Sequence, residues 1–301
     1  MQILTLKINI LSIIYKTVQF FGRFFAIFKF TNMNSMKTIF LALATAFVLF
    51  SCSPKTTGNK GIIPENANEL ASENLPFAVD SLHLEDSIAV AKTLKLRTSS
   101  TILLFPTLHN KTLLDSIYSP SGIKLETYSK EKLQKELVNQ KEAYFSQGQE
   151  DAKEYTPDFE QIWDENSYMK VFSNQNDVLT ISYENDGFSG GAHGYYNILF
   201  KNFDLKTNAV IQLSDVFMDV NKIDWNKILM KNFKNPDQKE MLLVDKIPVN
   251  NNFYFDSRNI TFVYNQYEIT AYAAGVVEIS IPFSELKPYL KPEFISRNNI
   301  K

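Results

Sequence analysis

Gly187-Phe188-Ser189-Gly190-Gly191 satisfies the pattern G-x-S-x-G, and His193 lies just beyond it. Such a serine becomes a nucleophile when a strand delivers it to the N-terminus of a helix and a histidine takes its proton. Here the following residues, Tyr195-Tyr-Asn-Ile-Leu-Phe200, read as a strand. The glycines therefore read better as a loop joining two strands, where they supply positive φ angles. A hydrolase using Ser189 and His193 is the alternative. Imidazoles are few: His83, His109 and His193 form no close pair and no H-E-x-x-H, so no metal site is expected. Glu184 and Asp186 lie near His193 and could pair with it, a contact that is usually structural. No two carboxylates have the context of a glycosidase acid–base pair. Tyr254, Tyr264, Tyr267 and Tyr272 could make a ligand-stacking surface, with a core of wet phenol tips as the default.

The one cysteine, Cys52, closes the run Leu49-Phe-Ser-Cys52. An apolar residue at −3 and a small one at −1 make this a lipobox, although Phe50 is bulkier than the usual −2 residue. Met36-Lys37 begins a signal peptide whose apolar core, residues 38–50, is shorter than the roughly 18 residues of a spanning helix. Cleavage after Ser51 and acylation of Cys52 are expected, and several acyl chains anchor firmly at about 0.8 kcal/mol per buried CH₂. Residues 1–35, broken by Lys7, Lys16, Arg23 and Lys29, read as a mis-called start or an extended n-region. Residues 52–76 read as a flexible tether. With the one thiol lipidated, disulfides, cysteine zinc sites and a cysteine nucleophile are excluded.

Five of the 31 basic residues precede Cys52, so from there onward 26 face 33 acids, a net −7. That balance argues against a nucleic-acid partner, which requires clustered cations, and suits a basic one. A hydrophobic fraction of 45% can fill a core, which excludes wholesale disorder.

Several elements can be placed from patterning. Residues 101–105 form a short apolar strand closed by Pro106. Leu133, Leu137 and Tyr144 give residues 129–147 a helical stripe. Alternation marks strands at residues 177–184, 195–205, 260–264 and 277–281. Lys206-Thr207-Asn208 turns the second of these into residues 209–213, and Ser214 is placed to cap a short turn. Trp225, Ile228, Leu229 and Phe233 form another helical stripe, and residues 284–290 a last short helix. Close strand pairs look like hairpins rather than βαβ units. The fold expected is α+β, a mainly antiparallel sheet with a few flanking helices in two associated halves.

Four spaced motifs add a resemblance: Gly190-Gly-Ala-His-Gly194, Leu213-Ser-Asp-Val-Phe217, Tyr267-Glu-Ile-Thr-Ala-Tyr-Ala-Ala-Gly275 and Ile281-Pro-Phe-Ser-Glu-Leu286. Together they resemble the extracellular domain shared by RsiV-type lysozyme-sensing anti-sigma factors and the non-catalytic N-terminal part of PdaC-type peptidoglycan deacetylases. The resemblance implies a PdaC-type companion domain over residues 77–172 and an RsiV-like domain over 173–301. It lacks an anti-sigma segment and a deacetylase module. What it implies is a non-enzymatic envelope lipoprotein, without cofactor, that binds a protein such as a lysozyme, or a cell-wall glycan. The membrane is met through the lipid on Cys52, with the rest outside the cytoplasm. The candidate binding or structural loop set is Gly190, Gly191, His193, Gly194, Tyr267, Tyr272 and Gly275. A structural role in envelope assembly is a third reading.

Overall fold

The computed structural model describes residues 77–300. The leader, Cys52 and the tether expected over 52–76 lie outside the described residues. Among the described residues no helix is long and apolar enough to cross a membrane.

The chain forms two sheets flanked by helices, the α+β class expected, with a mainly antiparallel larger sheet. That sheet takes its strands in sequence order: β1 Asp80–Ala91, β2 Leu94–Leu104, β3 Gln161–Gln175, β4 Val178–Phe188, β5 Tyr195–Asp204 and β6 Ala209–Val210. One pair departs from the hairpin expectation: β2 and β3 run parallel, from Leu94 opposite Gln161 to Thr101 opposite Tyr168. Parallel neighbours need a crossover, and helices α1 Lys111–Tyr118 and α2 Lys130–Glu154 supply it. Asn110 and Ser129 cap them, each side chain accepting a backbone N–H of the first turn. Gly148 lets α2 lie close on the sheet, since a Cβ there would come within 2.4 Å of Leu96 Cδ1. Leu133 and Leu137 of α2 then join Ile102, Leu113, Ile117, Met169, Ile181 and Phe203 in one core. Each such side chain contributes about 1.5–3 kcal/mol on full burial. The division expected between residues 172 and 173 falls inside β3.

The smaller sheet is antiparallel throughout: β7 Phe253–Phe255, β8 Asn259–Tyr264 and β9 Val277–Pro282. Ile260, Phe262 and Tyr264 bury one face of β8 with Val277, Ile279 and Ile281 of β9, as their alternation requires. Around them lie α3 Leu213–Val216, α4 Trp225–Asn232, α5 Pro236–Glu240, α6 Phe283–Leu286 and α7 Pro292–Arg297. Ser214 is not the cap of α3. Asp215 Oδ2 accepts the N–H of Gln212 at 2.8 Å, so the helix starts earlier, from a capping box at Gln212. The last expected helix divides at Pro288 into α6 and a 3₁₀ turn, Lys287–Tyr289.

A polar seam joins the halves. β6 pairs β5 only at Phe203 and Asp204, which leaves the rest of that edge needing partners. Side-chain amides from the second half provide them. The N–H of Tyr196 donates to Gln266 Oε1 at 3.0 Å, that of Ile198 to Asn265 Oδ1 at 2.7 Å and that of Phe200 to Asn252 Oδ1 at 2.8 Å. Ile198 O accepts in return from Asn252 Nδ2 and Asn265 Nδ2. The spacing of two along β5 reflects the strand's alternation: every second N–H points to this edge.

Candidate functional site

The β4–β5 connection is the glycine-rich loop that the sequence pointed to. Gly190 and Gly191 adopt φ of +88° and +93°, a region that L side chains rarely occupy. Gly194 serves a different purpose. It has no positive φ, but a Cβ there would lie 2.5 Å from the carbonyl oxygen of Gly187. Gly190 lies against the Trp163 ring, at 3.3 Å from where its Cβ would stand. Ser189 is exposed and is followed by the bend and by strand β5 rather than by a helix. Among the described residues no hydrogen bond joins Ser189 to His193.

His193 finds its partners in the other half of the chain. Its ring stacks on Tyr272 with centroids 3.8 Å apart and 21° between planes. Nδ1 lies 3.0 Å from Gly194 O and Nε2 3.5 Å from the Tyr267 hydroxyl. A carbonyl can only accept, so the neutral ring carries its proton on Nδ1 and offers Nε2 to the Tyr267 O–H. The carboxylates considered beside His193 are engaged elsewhere. Glu184 pairs with Lys170 Nζ at 2.8 Å, and Asp186 accepts from Asn166 Nδ2 at 2.9 Å. Burial, then the Glu184, Asp186 and Glu278 carboxylates, push the nearby Tyr196 phenol above its ordinary value.

The seam explains how Tyr267 and Tyr272 reach this place. Glu268 N–H donates to Asn265 O, closing a turn whose first two side chains, Asn265 and Gln266, are held by β5. Tyr267 follows at φ +66°, a left-handed conformation that is uncommon for a bulky residue, and is 59% exposed. Tyr272 opens the 3₁₀ turn Tyr272–Ala274, which Gly275 ends at φ +68°, ψ −147°. Gln238 Nε2 fixes that turn by donating to Ala274 O and Val276 O. The structure thus brings His193, Tyr267 and Tyr272 together and uses Gly190, Gly191, Gly194 and Gly275 to shape the loops that carry them. Of the other tyrosines considered, Tyr264 is a core residue donating to Pro248 O, and Tyr254 packs on Phe172 and Phe200. The seam amides Asn252, Asn265 and Gln266 escape a search for chemistry because polar residues between strands read as ordinary loop.

Residues 203–284 match a family model described as a protein of unknown function (DUF3298). The fold is similar to that of a DUF3298 family member from Bacteroides fragilis, at 22% identity and a TM-score of 0.60, covering 75% of this chain and 98% of that one. A DUF3298 family protein from Pseudomonas aeruginosa is 18% identical with a TM-score of 0.49, over 73% of this chain and 96% of that one. No curated protein matches the chain. The matched segment contains Tyr267, Tyr272, Gly275 and the three seam amides, while His193 and its glycines precede it.

Proposed function

We propose that the chain is an envelope lipoprotein, anchored through Cys52, whose folded part binds a protein ligand at the face formed by His193, Tyr267 and Tyr272. The observation that carries this reading is Tyr267, an exposed aromatic residue held in a left-handed conformation beside a stacked imidazole. Strained backbone conformations cluster at ligand clamps, active sites and switch regions, and exposed tyrosines are favoured anchors of protein interfaces. The residue pattern resembling RsiV-type ectodomains supports a lysozyme as the ligand, and lysozymes are commonly basic, which suits the net −7 from Cys52 onward.

The test is affinity of the full chain for a lysozyme immobilised on a sensor surface. Saturable binding is expected, weakened by about tenfold or more in Tyr272→Ala. No saturable binding, or equal binding by Tyr272→Ala, overturns the protein-ligand reading. An esterase or amidase activity lost in Ser189→Ala would place the hydrolase alternative ahead of it.

A further inference from the structure

A second aromatic group, sharing no residue with the His193 face, lines a cleft of about 160 Å³ beside the β3–β4 hairpin and the β7–β8 turn. β3 slips register between Val171 and Ser173, which leaves Phe172 as the additional residue of a bulge. Bulges re-aim side chains. Phe172 is 49% exposed, yet its ring lies 5.0 Å from Phe200 and 4.6 Å from Tyr254. Phe200 is buried and packs against Tyr254 at 4.7 Å, so the two outer rings rest on a fixed third. Tyr254 is oriented further by its hydroxyl, which donates to Glu278 Oε2 at 3.1 Å.

Planar polar groups complete the wall: Gln175, Asn176, Asp256 and Asn298. Asp256 is held in place by the N–H groups of Arg258 and Asn259, and Asn298 is buried, donating to Phe294 O. Among the described residues no lysine or arginine lines the cleft.

We propose that this cleft binds one pyranose ring of a neutral oligosaccharide. A sugar ring has a C–H face that stacks on aromatic rings and a hydroxyl edge that pairs with amides and carboxylates. Both kinds of group are present, and Tyr254, Asp256 and Asn298 are held in place by hydrogen bonds. Arg297 reaches the wall at Asn176 O, but its guanidinium is committed to Asp204, so a phosphate or nucleotide would gain little counter-charge here. The volume is below the roughly 300 Å³ from which sites for drug-sized ligands begin, which suits a single ring. The proposal rests on this cleft alone and does not depend on the reading of the His193 face.

Saturation-transfer NMR on the full chain tests it, with trimers of N-acetylglucosamine and of glucose as probes. Transfer to the C–H protons of at least one trimer is expected. Its dissociation constant should rise about tenfold in Phe172→Leu, which keeps an apolar cover over Phe200 and removes the aromatic face. Gln175→Ala, at an exposed side chain, should weaken it as well, and it decides the matter if Phe172→Leu does not fold. Transfer to neither trimer at millimolar concentration, or an affinity unchanged in the folded variants, overturns the proposal. Tyr272→Ala should leave the saccharide affinity unchanged, and a loss there would contradict a separate site.

Discussion

Tyr267 is held where its own backbone preference opposes it. For an L residue the left-handed region costs about 1–2 kcal/mol, and glycine occupies it freely. The turn tolerates a tyrosine because Asn265 and Gln266 are pinned to β5 on its N-terminal side. Tyr267→Gly removes the strain, adds about 0.5–1 kcal/mol of chain entropy in the unfolded state, and loses the ring's contacts with His193 and Tyr272. The expected outcome is an unfolding free energy unchanged or slightly higher by urea titration. A loss of more than about 1 kcal/mol would make the ring a structural strut. At this scale the sequence revealed Gly190 and Gly191, because a glycine pair between two alternating strands has few other uses. Residue types and spacing alone did not pair His193 with Tyr267 and Tyr272, and only the family resemblance grouped the three. The sequence draws attention to Glu184 and Asp186 nearby, whereas the Tyr267 contact spans 74 residues and depends on the seam.

The β4–β5 hairpin positions His193 through close backbone approach at its mouth. Gly187 and Gly194 sit where a side chain has no room. A Cβ on Gly187 would lie 2.5 Å from Asp164 O, and one on Gly194 would lie 2.5 Å from Gly187 O. Gly194→Ala should therefore force the hairpin open and cost about 1–3 kcal/mol, measured as a lower denaturation midpoint without a change in slope. Gly191 has open space around it, so substitution there meets backbone strain alone. A midpoint unchanged in Gly194→Ala would show that the hairpin mouth is not tightly packed. Elements with one apolar face, such as α2, β4 and β8, were readable because alternation or a helical stripe survives in the residues themselves. β1 was not, since Asp80, His83, Glu85 and Asp86 interrupt its pattern. As an edge strand it uses those charges to discourage further pairing. β3 mixes polar residues on both faces because much of one face stays wet, which removes the alternation that identifies a strand.

Across the whole molecule, the two halves meet along the amide seam and at the end of the chain. Arg297 of α7 pairs with Asp204 at the end of β5, with Nη2 3.0 Å from Oδ1 and Nη1 bonded to Oδ2, and it also donates to Asn176 O and Asp177 O. Burial raises the Asp204 carboxyl, but Arg297 and the N–H groups of Thr207 and Lys206 outweigh it and bring it down to about 2. A carboxyl lower in the folded chain than in the unfolded one stabilises fully above its ordinary 3.8 and loses that contribution as pH falls toward about 2. Stability should therefore fall by about 2 kcal/mol across that window on this account, and Arg297→Ala should flatten the dependence in urea titrations at successive pH values. An equal slope in the variant would assign the loss to other carboxylates. The α+β class was readable from strand spacing, but the seam was not. Asn252, Asn265 and Gln266 acquire a role only when β5 presents an edge to them. The same seam places His193 from one half against Tyr267 and Tyr272 from the other, so a ligand at the proposed face would touch both. Amide hydrogen exchange of the full chain, with and without saturating lysozyme, tests this directly. Protection is predicted in residues 189–196 and 265–275 together, and protection confined to one of those segments, or lying elsewhere, would contradict it.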